Sequence, residues 1–265
     1  MGIAMVKALI KTSDEAQEWN PMLTLVQGVT KENERKIVSE ICSDNFVDFV
    51  FSKIRQILSN PDSESIAILE NIFNFLISLT DKSSYFCQEL TKDDNLLDIL
   101  RLTILNDENF QESVVLLINN IGFQLENSYF DDEDIRLFLF RIIESKHKNL
   151  CVLSLMRFSS AEQIKALEDD ICSIVPDVVT DFVHISTPNE ATRYNSGIEE
   201  ILKNILILCR NDQARINLIR NSDFNNCMIK IASDSNFDDY KDLLDEIKNL
   251  IGVTNSTFLS EIETD

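Results

Sequence analysis

Apolar residues recur at steps of three and four along almost the whole chain. Phe46, Phe49, Val50, Ile54, Ile57 and Leu58 fall on one face of a helix read over Asn45 to Leu58. Segments of the same kind end at Ala232, from Phe224, and at Ile251, from Tyr240. The breaks between them are short. Ser59-Asn60-Pro61 offers an Asn cap with proline in the first turn, and Ser160-Ala161-Glu162-Gln163 has capping-box spacing. Thr187-Pro188 and Asp131-Asp132-Glu133-Asp134 also suit helix starts, the acidic run because it puts negative charge at a positive helix end. The weakest stretch, Ser186 to Gly197, reads as a loop or a short capped turn within one continuous body. Five glycines and four prolines in 265 residues are too few for the turns of an all-β chain, so the pattern predicts helix upon helix.

The helical segments repeat. Ile68-Leu69-Glu70-Asn71-Ile72 corresponds to Ile201-Leu202-Lys203-Asn204-Ile205, 133 residues later, with Leu117-Ile118-Asn119-Asn120-Ile121 between them. Taking Gln27 as the earliest member gives steps of 44 to Asn71 and 49 to Asn120. A degenerate copy at Cys151 to Arg157 fills the longer gap before Asn204, and the mean step is about 44, inside the range of armadillo and HEAT units. Each polar turn carries an Asn, an Arg and then an Ile: Asn33, Arg35 and Ile37 after Gln27, and Asn211, Arg215 and Ile216 after Asn204.

This order resembles the armadillo repeat, in which a long third helix ends near Asn, a polar turn opens a short first helix, and a second helix follows. The resemblance covers residues 20 to 251 and departs from the armadillo pattern in lacking glycine between first and second helices, which leaves the HEAT subtype open. It implies an all-α, right-handed α-solenoid of about five divergent repeats in a single domain over 1 to 265. Residues 1 to 19 would be an N-terminal cap and 252 to 265 an acidic C-terminal tail ending in Glu261, Glu263 and Asp265. Armadillo importin adaptors hold basic peptides with Trp and Asn on successive third helices. Here Asn71, Asn120 and Asn204 could form the asparagine part of such an array, but Ala67, Leu116 and Glu200 stand where the tryptophans belong. These three asparagines are the expected partner contacts, with Arg35 and Arg215 as repeated turn residues.

Charge narrows the partners. With 24 basic and 45 acidic residues the net charge is −21, which repels phosphate backbones and anionic membranes. The expected partner is a protein, through a basic or amphipathic segment, and neither nucleic acid nor membrane. Six scattered cysteines (Cys42, Cys87, Cys151, Cys172, Cys209, Cys227) show no Cys-x-x-Cys pair. They read as core thiols of a reducing compartment, the cytoplasm first and the nucleus second.

Catalytic constellations are sparse. The two histidines, His147 and His184, pair with no nucleophile by spacing, and the glycines occur singly, so no phosphate loop is formed. Asp234-x-Asn236-x-Asp238, with Asp242 and Asp245, approaches a calcium loop but has Asp239 in place of the turn glycine and Asp245 in place of the long bidentate Glu. No cofactor and no enzymatic activity are expected. Most of the sixteen phenylalanines read as core, with Phe46 and Phe130, near helix starts, as candidate exposed contacts. The expected function is a noncatalytic interaction scaffold that binds a peptide or helix on a concave face. A second expectation, from fold analogy, is an armadillo-type nucleotide-exchange regulator of a heat-shock chaperone.

Overall fold

A computed structural model describes residues 2–13, 15–92, 95–106, 110–125, 130, 132–143, 147–186 and 197–252. Thr187-Pro188, most of the Ser186 to Gly197 loop, Asp131 and the acidic tail lie outside them. Among the described residues every regular element is a helix. The chain divides into two compact units, Met1–Phe158 and Ser159–Asp265.

In the first unit α1 (Ile3–Thr12) is followed by a 3₁₀ turn (Ala16–Trp19), α2 (Asn20–Gln27), α3 (Glu34–Cys42), α4 (Phe46–Ser59) and α5 (Ser63–Lys82). Then come α6 (Ser84–Leu90), α7 (Asn95–Asn106), α8 (Gln111–Leu125), α9 (Glu133–Arg141) and α10 (Lys148–Phe158). Helices pack on later ones in separate series: α3 on α6, and α4 on α7 with α7 on α9. A further series is α2 against α5, α5 against α8, and α8 against α10. The segment expected as a degenerate copy, Cys151 to Arg157, is therefore a helix of that series.

Interhelical hydrogen bonds fix the register. Asn71 Nδ2 donates to Ala16 O (2.9 Å) and Lys82 Nζ to Gln27 O (3.1 Å), both across 55 residues. Asn120 Nδ2 donates to Ile77 O (3.1 Å) and Gln124 Nε2 to Asp81 O (2.9 Å), both across 43 residues. A constant offset at two points along a pair of helices requires that they run in the same direction. The 3₁₀ turn with α2, then α5, then α8 are thus parallel neighbours.

The core of this unit is aromatic. Trp19 packs on Phe75 and Phe46 with ring centroids 5.8 and 6.3 Å apart, and Phe75 meets Phe86 edge-on at 6.0 Å. Phe46 and Phe130 are completely buried, which corrects their reading as exposed contacts: a ring at the first turn of a helix still faces the neighbouring helix when its periodic face does. The cap of α5 is also corrected. Asp62, not Asn60, accepts from Glu64 N and Ser65 N while Ser65 Oγ receives the Asp62 amide; Asn60 instead ends α4. Ser160 and Gln163 form the capping box that their spacing predicts.

The second unit contains α11 (Ala161–Ala166), α12 (Glu168–Ile185), α13 (Ile198–Cys209), α14 (Asp212–Arg220), α15 (Ser222–Ala232), a 3₁₀ turn (Ser235–Tyr240) and α16 (Lys241–Leu250). Here α12 packs on α13, α14 and α15, and α13 on α16. Phe182 and Phe224, both fully buried, meet in its core with ring centroids 5.6 Å apart and planes tilted by 38°.

Candidate interaction face

The exposed side of α5 carries Glu70, Asn74 and Asp81, with Ala67, Asn71 and Ser78 half-buried beside them, at helical steps of three and four. On α8 the corresponding stripe holds Glu112 and half-buried Ser113, Leu116, Asn120 and Gln124. The two stripes belong to parallel neighbours and are rich in amides and carboxylates. Although Asp81 reaches solvent, partial desolvation against the neighbouring helices raises its carboxyl above the ordinary value, against the lowering effect of Lys82. At the far edge, Arg157 of α10 donates to Asn119 Oδ1 (2.6 Å) and lies over the Phe123 ring at 5.8 Å.

Asn71 and Asn120 both fall at seams between helices of this layer. Their amides brace those seams by donating to carbonyls of the preceding helix, as described above. The offsets of 55 and 43 place Asn120 level with Ile77, so the two asparagines stand about six residues out of step, roughly 9 Å along the helix axis. The steps of 44 and 49 read from the sequence therefore do not describe equivalent positions in this layer. Asn204 is half-buried on α13 of the second unit.

The two polar turns expected to be equivalent are built differently. Asn211 Oδ1 caps α14 by accepting from Ala214 N (2.9 Å), and Arg215 donates to Cys209 O (3.2 Å) and pairs with Asp212. Asn33 makes no cap to α3; its amide donates back to Gly28 O (3.0 Å) and its oxygen accepts from Thr30 N (2.8 Å). Arg35 is exposed.

Elsewhere polar groups are committed to structure. Cys87, Cys151, Cys209 and Cys227 are buried, and burial pushes the thiols of Cys42, Cys151 and Cys209 up to about 12. Burial raises Cys87 as well, so these four groups are thiols rather than nucleophilic thiolates near neutrality. Asp234 Oδ1 accepts from Asn236 N (2.9 Å) at the start of the 3₁₀ turn, and Asp245 pairs with Lys248 at 3.1 Å. Among the described residues no group of three or more His, Cys, Asp or Glu is arranged to hold a metal ion, and no helix is long and apolar enough to cross a membrane. A groove of about 460 Å³ lies between α7 and α9, lined by Arg101, Ile104, Asp134, Leu137, Phe138 and Arg141. Arg101 pairs there with Asp132, Asp134 and Asp98, so its guanidinium is occupied by carboxylates. Burial alone would raise the Asp132 carboxyl, but the bonds from Arg101 and Ile135 N outweigh it and hold the group below its ordinary value.

Compared with known proteins, the chain matches no family model, no curated protein and no solved structure.

Proposed function

We propose that the chain is a noncatalytic protein-interaction scaffold built from divergent armadillo/HEAT-like repeats, and that the layer containing α5 and α8 receives an extended or helical segment of a protein partner. The three-helix units are α3 to α5, α6 to α8, α11 to α13 and α14 to α16, with α9 and α10 as a shortened fifth. The observation that carries the reading is the parallel, in-register series formed by α2, α5 and α8, joined by hydrogen bonds at constant offsets. Stacked units of this kind present a long surface made of the same helix from each unit, and such a surface suits a linear segment.

The partner segment is basic. Glu70, Asp81 and Glu112 stand along the two stripes, in a chain whose charge already draws cations toward it. The amides bind main chain: an amide group has two donors and an acceptor, so the bond from Asn71 to Ala16 O does not exhaust it, and Asn120, whose nitrogen donates to both Ile77 O and Thr80 Oγ1 (3.4 Å), offers its oxygen as acceptor. The absence of tryptophans four residues before these asparagines argues against the lysine-gripping walls of the importin adaptors, so recognition here is of charge and backbone. The cytoplasm, or the nucleus, is the proposed location, supported by the buried thiols.

A peptide array containing Lys/Arg-rich and Asp/Glu-rich 15-residue segments tests this, followed by fluorescence-anisotropy titration of the best binder. The expected binder is basic, and the combined change Glu70→Gln, Asn74→Ala and Asp81→Asn weakens it by about tenfold or more. Equal affinity for the triple variant, with helix content unchanged, would refute the placement on α5.

A further inference from the structure

The parallel series of helices continues one step past α8. Glu112 Oε2, in the first turn of α8, lies 3.7 Å from His147 Nε2, just before α10, and farther along both helices Asn119 Oδ1 accepts from Arg157. Contacts that advance together along two helices make α10 parallel to α8, so its start forms an edge of the candidate face. One titratable ring stands at that edge. The His147 side chain is 13% exposed, while Glu112 beside it is 51% exposed and is the only charged residue on α8. Histidine is the side chain that ordinarily changes charge between about pH 5 and 8, so the charge facing this end of the α8 stripe depends on acidity.

We propose, resting on the peptide-binding reading above, that His147 makes the α5 and α8 face pH-sensitive by competing with the partner's cation for Glu112. With the ring neutral, Glu112 presents its charge to a basic segment. With the ring protonated, an imidazolium stands beside that carboxylate and neutralises it. The surroundings make Glu112 the group on which the ring's charge depends. A cation so little exposed gains little from water. It stands at the N-terminal, positive end of α10 with Lys148 as the next residue, and both oppose a further positive charge, while Arg157 stands at the far end of the helix. α9, also packed on α10, carries Glu133, Asp134, Arg136 and Arg141, two of each sign, with Asp134 drawn to Arg101. A partner lysine or arginine seated on Glu112 therefore disfavours the proton, and by linkage the proton disfavours the partner by the same factor. Asp81, whose carboxyl is raised, also weakens the face in acid, but it lies on α5 and does not act through Glu112.

Fluorescence-anisotropy titrations of a labelled Lys/Arg-rich 15-residue peptide, at about pH 7.5 and about pH 5.5, bracket the imidazole range and test this on the full chain. Between the two, the wild type should lose about threefold more affinity than His147→Gln, with helix content unchanged and His184→Gln behaving as wild type. Glu112→Gln should bind about threefold more weakly at the higher pH, and adding His147→Gln to it should change nothing. The same excess pH dependence is read against Glu112→Gln alone, at an exposed position whose change spares the fold. An equal loss in the wild type and His147→Gln, or an effect of His147→Gln that survives Glu112→Gln, would overturn the proposal and leave the face itself standing. A peptide that binds at neither pH would overturn both.

Discussion

The helices α1 and α16 are both ten residues long, yet they treat their charges in opposite ways. α16 buries Leu244 and Ile247 and shows Lys241, Asp242, Asp245 and Glu246 to solvent; its ion pairs, Lys248 with Asp245 and Arg210 with Glu246, are surface pairs at 3.1 Å. α1 spends its lysines on the turn after α3. That turn needs them: Asp44 and Asn45 both adopt left-handed backbone angles, φ 58° and 55°, and the last carbonyls of α3 point out of the helix without intrahelical partners. Lys7 gathers those carbonyls, while the hydrogen bond from Lys7 holds the Asp44 carboxyl below its ordinary value. The difference shows that a lysine in an amphipathic pattern marks the wet face only when no nearby helix end competes for it.

Breaking the buried side of this contrast has the largest effect. Phe46, fully buried beneath the Lys7 ammonium at 5.9 Å, should cost about 3–5 kcal/mol when changed to Ala, read by urea unfolding. Lys7→Met keeps the stem but leaves carbonyls of Glu40 and Ser43 without their charged donor, and should cost about 2–3 kcal/mol. Asn120→Ala removes the bond to Ile77 O and should cost about 1 kcal/mol, with an equal loss for Asn71→Ala. Lys248→Met, on the solvent side of α16, should change stability by less than about 0.5 kcal/mol. If Lys7→Met were as mild as Lys248→Met, the two helices would not differ as described.

Acid sharpens the comparison further. Asp132 has a lowered carboxyl, so its contribution is present above the unfolded value and is lost as pH falls through the folded one. Asp132→Asn should therefore flatten the acid limb of a stability profile, read by melts from neutral to acid pH. Asp181, raised by burial, has the opposite sign: it weakens the fold as pH rises through its unfolded value, so Asp181→Asn should be neutral or slightly stabilising near pH 7, read by thermal melts.

Helical class was legible because period 3.6 runs through nearly every segment, and the Ser160 box because both of its partners are local. Asn60 was misread because Asn60 and Asp62 flank the same proline and each has a serine three residues on, Ser63 and Ser65, while the folded backbone makes the reciprocal bonds only between Asp62 and Ser65. The similarity of Asn33 and Asn211 hid a difference that depends on backbone angles: Asn211 is extended and caps forward, while Asn33 at ψ −4° staples the turn behind it. Asn71 and Asn120 were legible as residues of long core helices, but their register was not. A spacing in sequence includes the loops, and loop lengths between α2 and α5 and between α5 and α8 differ. The burial of Lys7 beside Ile3, Val6 and Ile10 left no mark in the ten residues of α1, since the groups that capture it lie over thirty residues away.

The most direct test of the interaction face is photocrosslinking. A bound Lys/Arg-rich peptide carrying a benzophenone should, after irradiation and proteolysis, be found attached within 67–81 of α5 and 112–124 of α8. Attachment confined to α9, α14 or α16 would contradict the account.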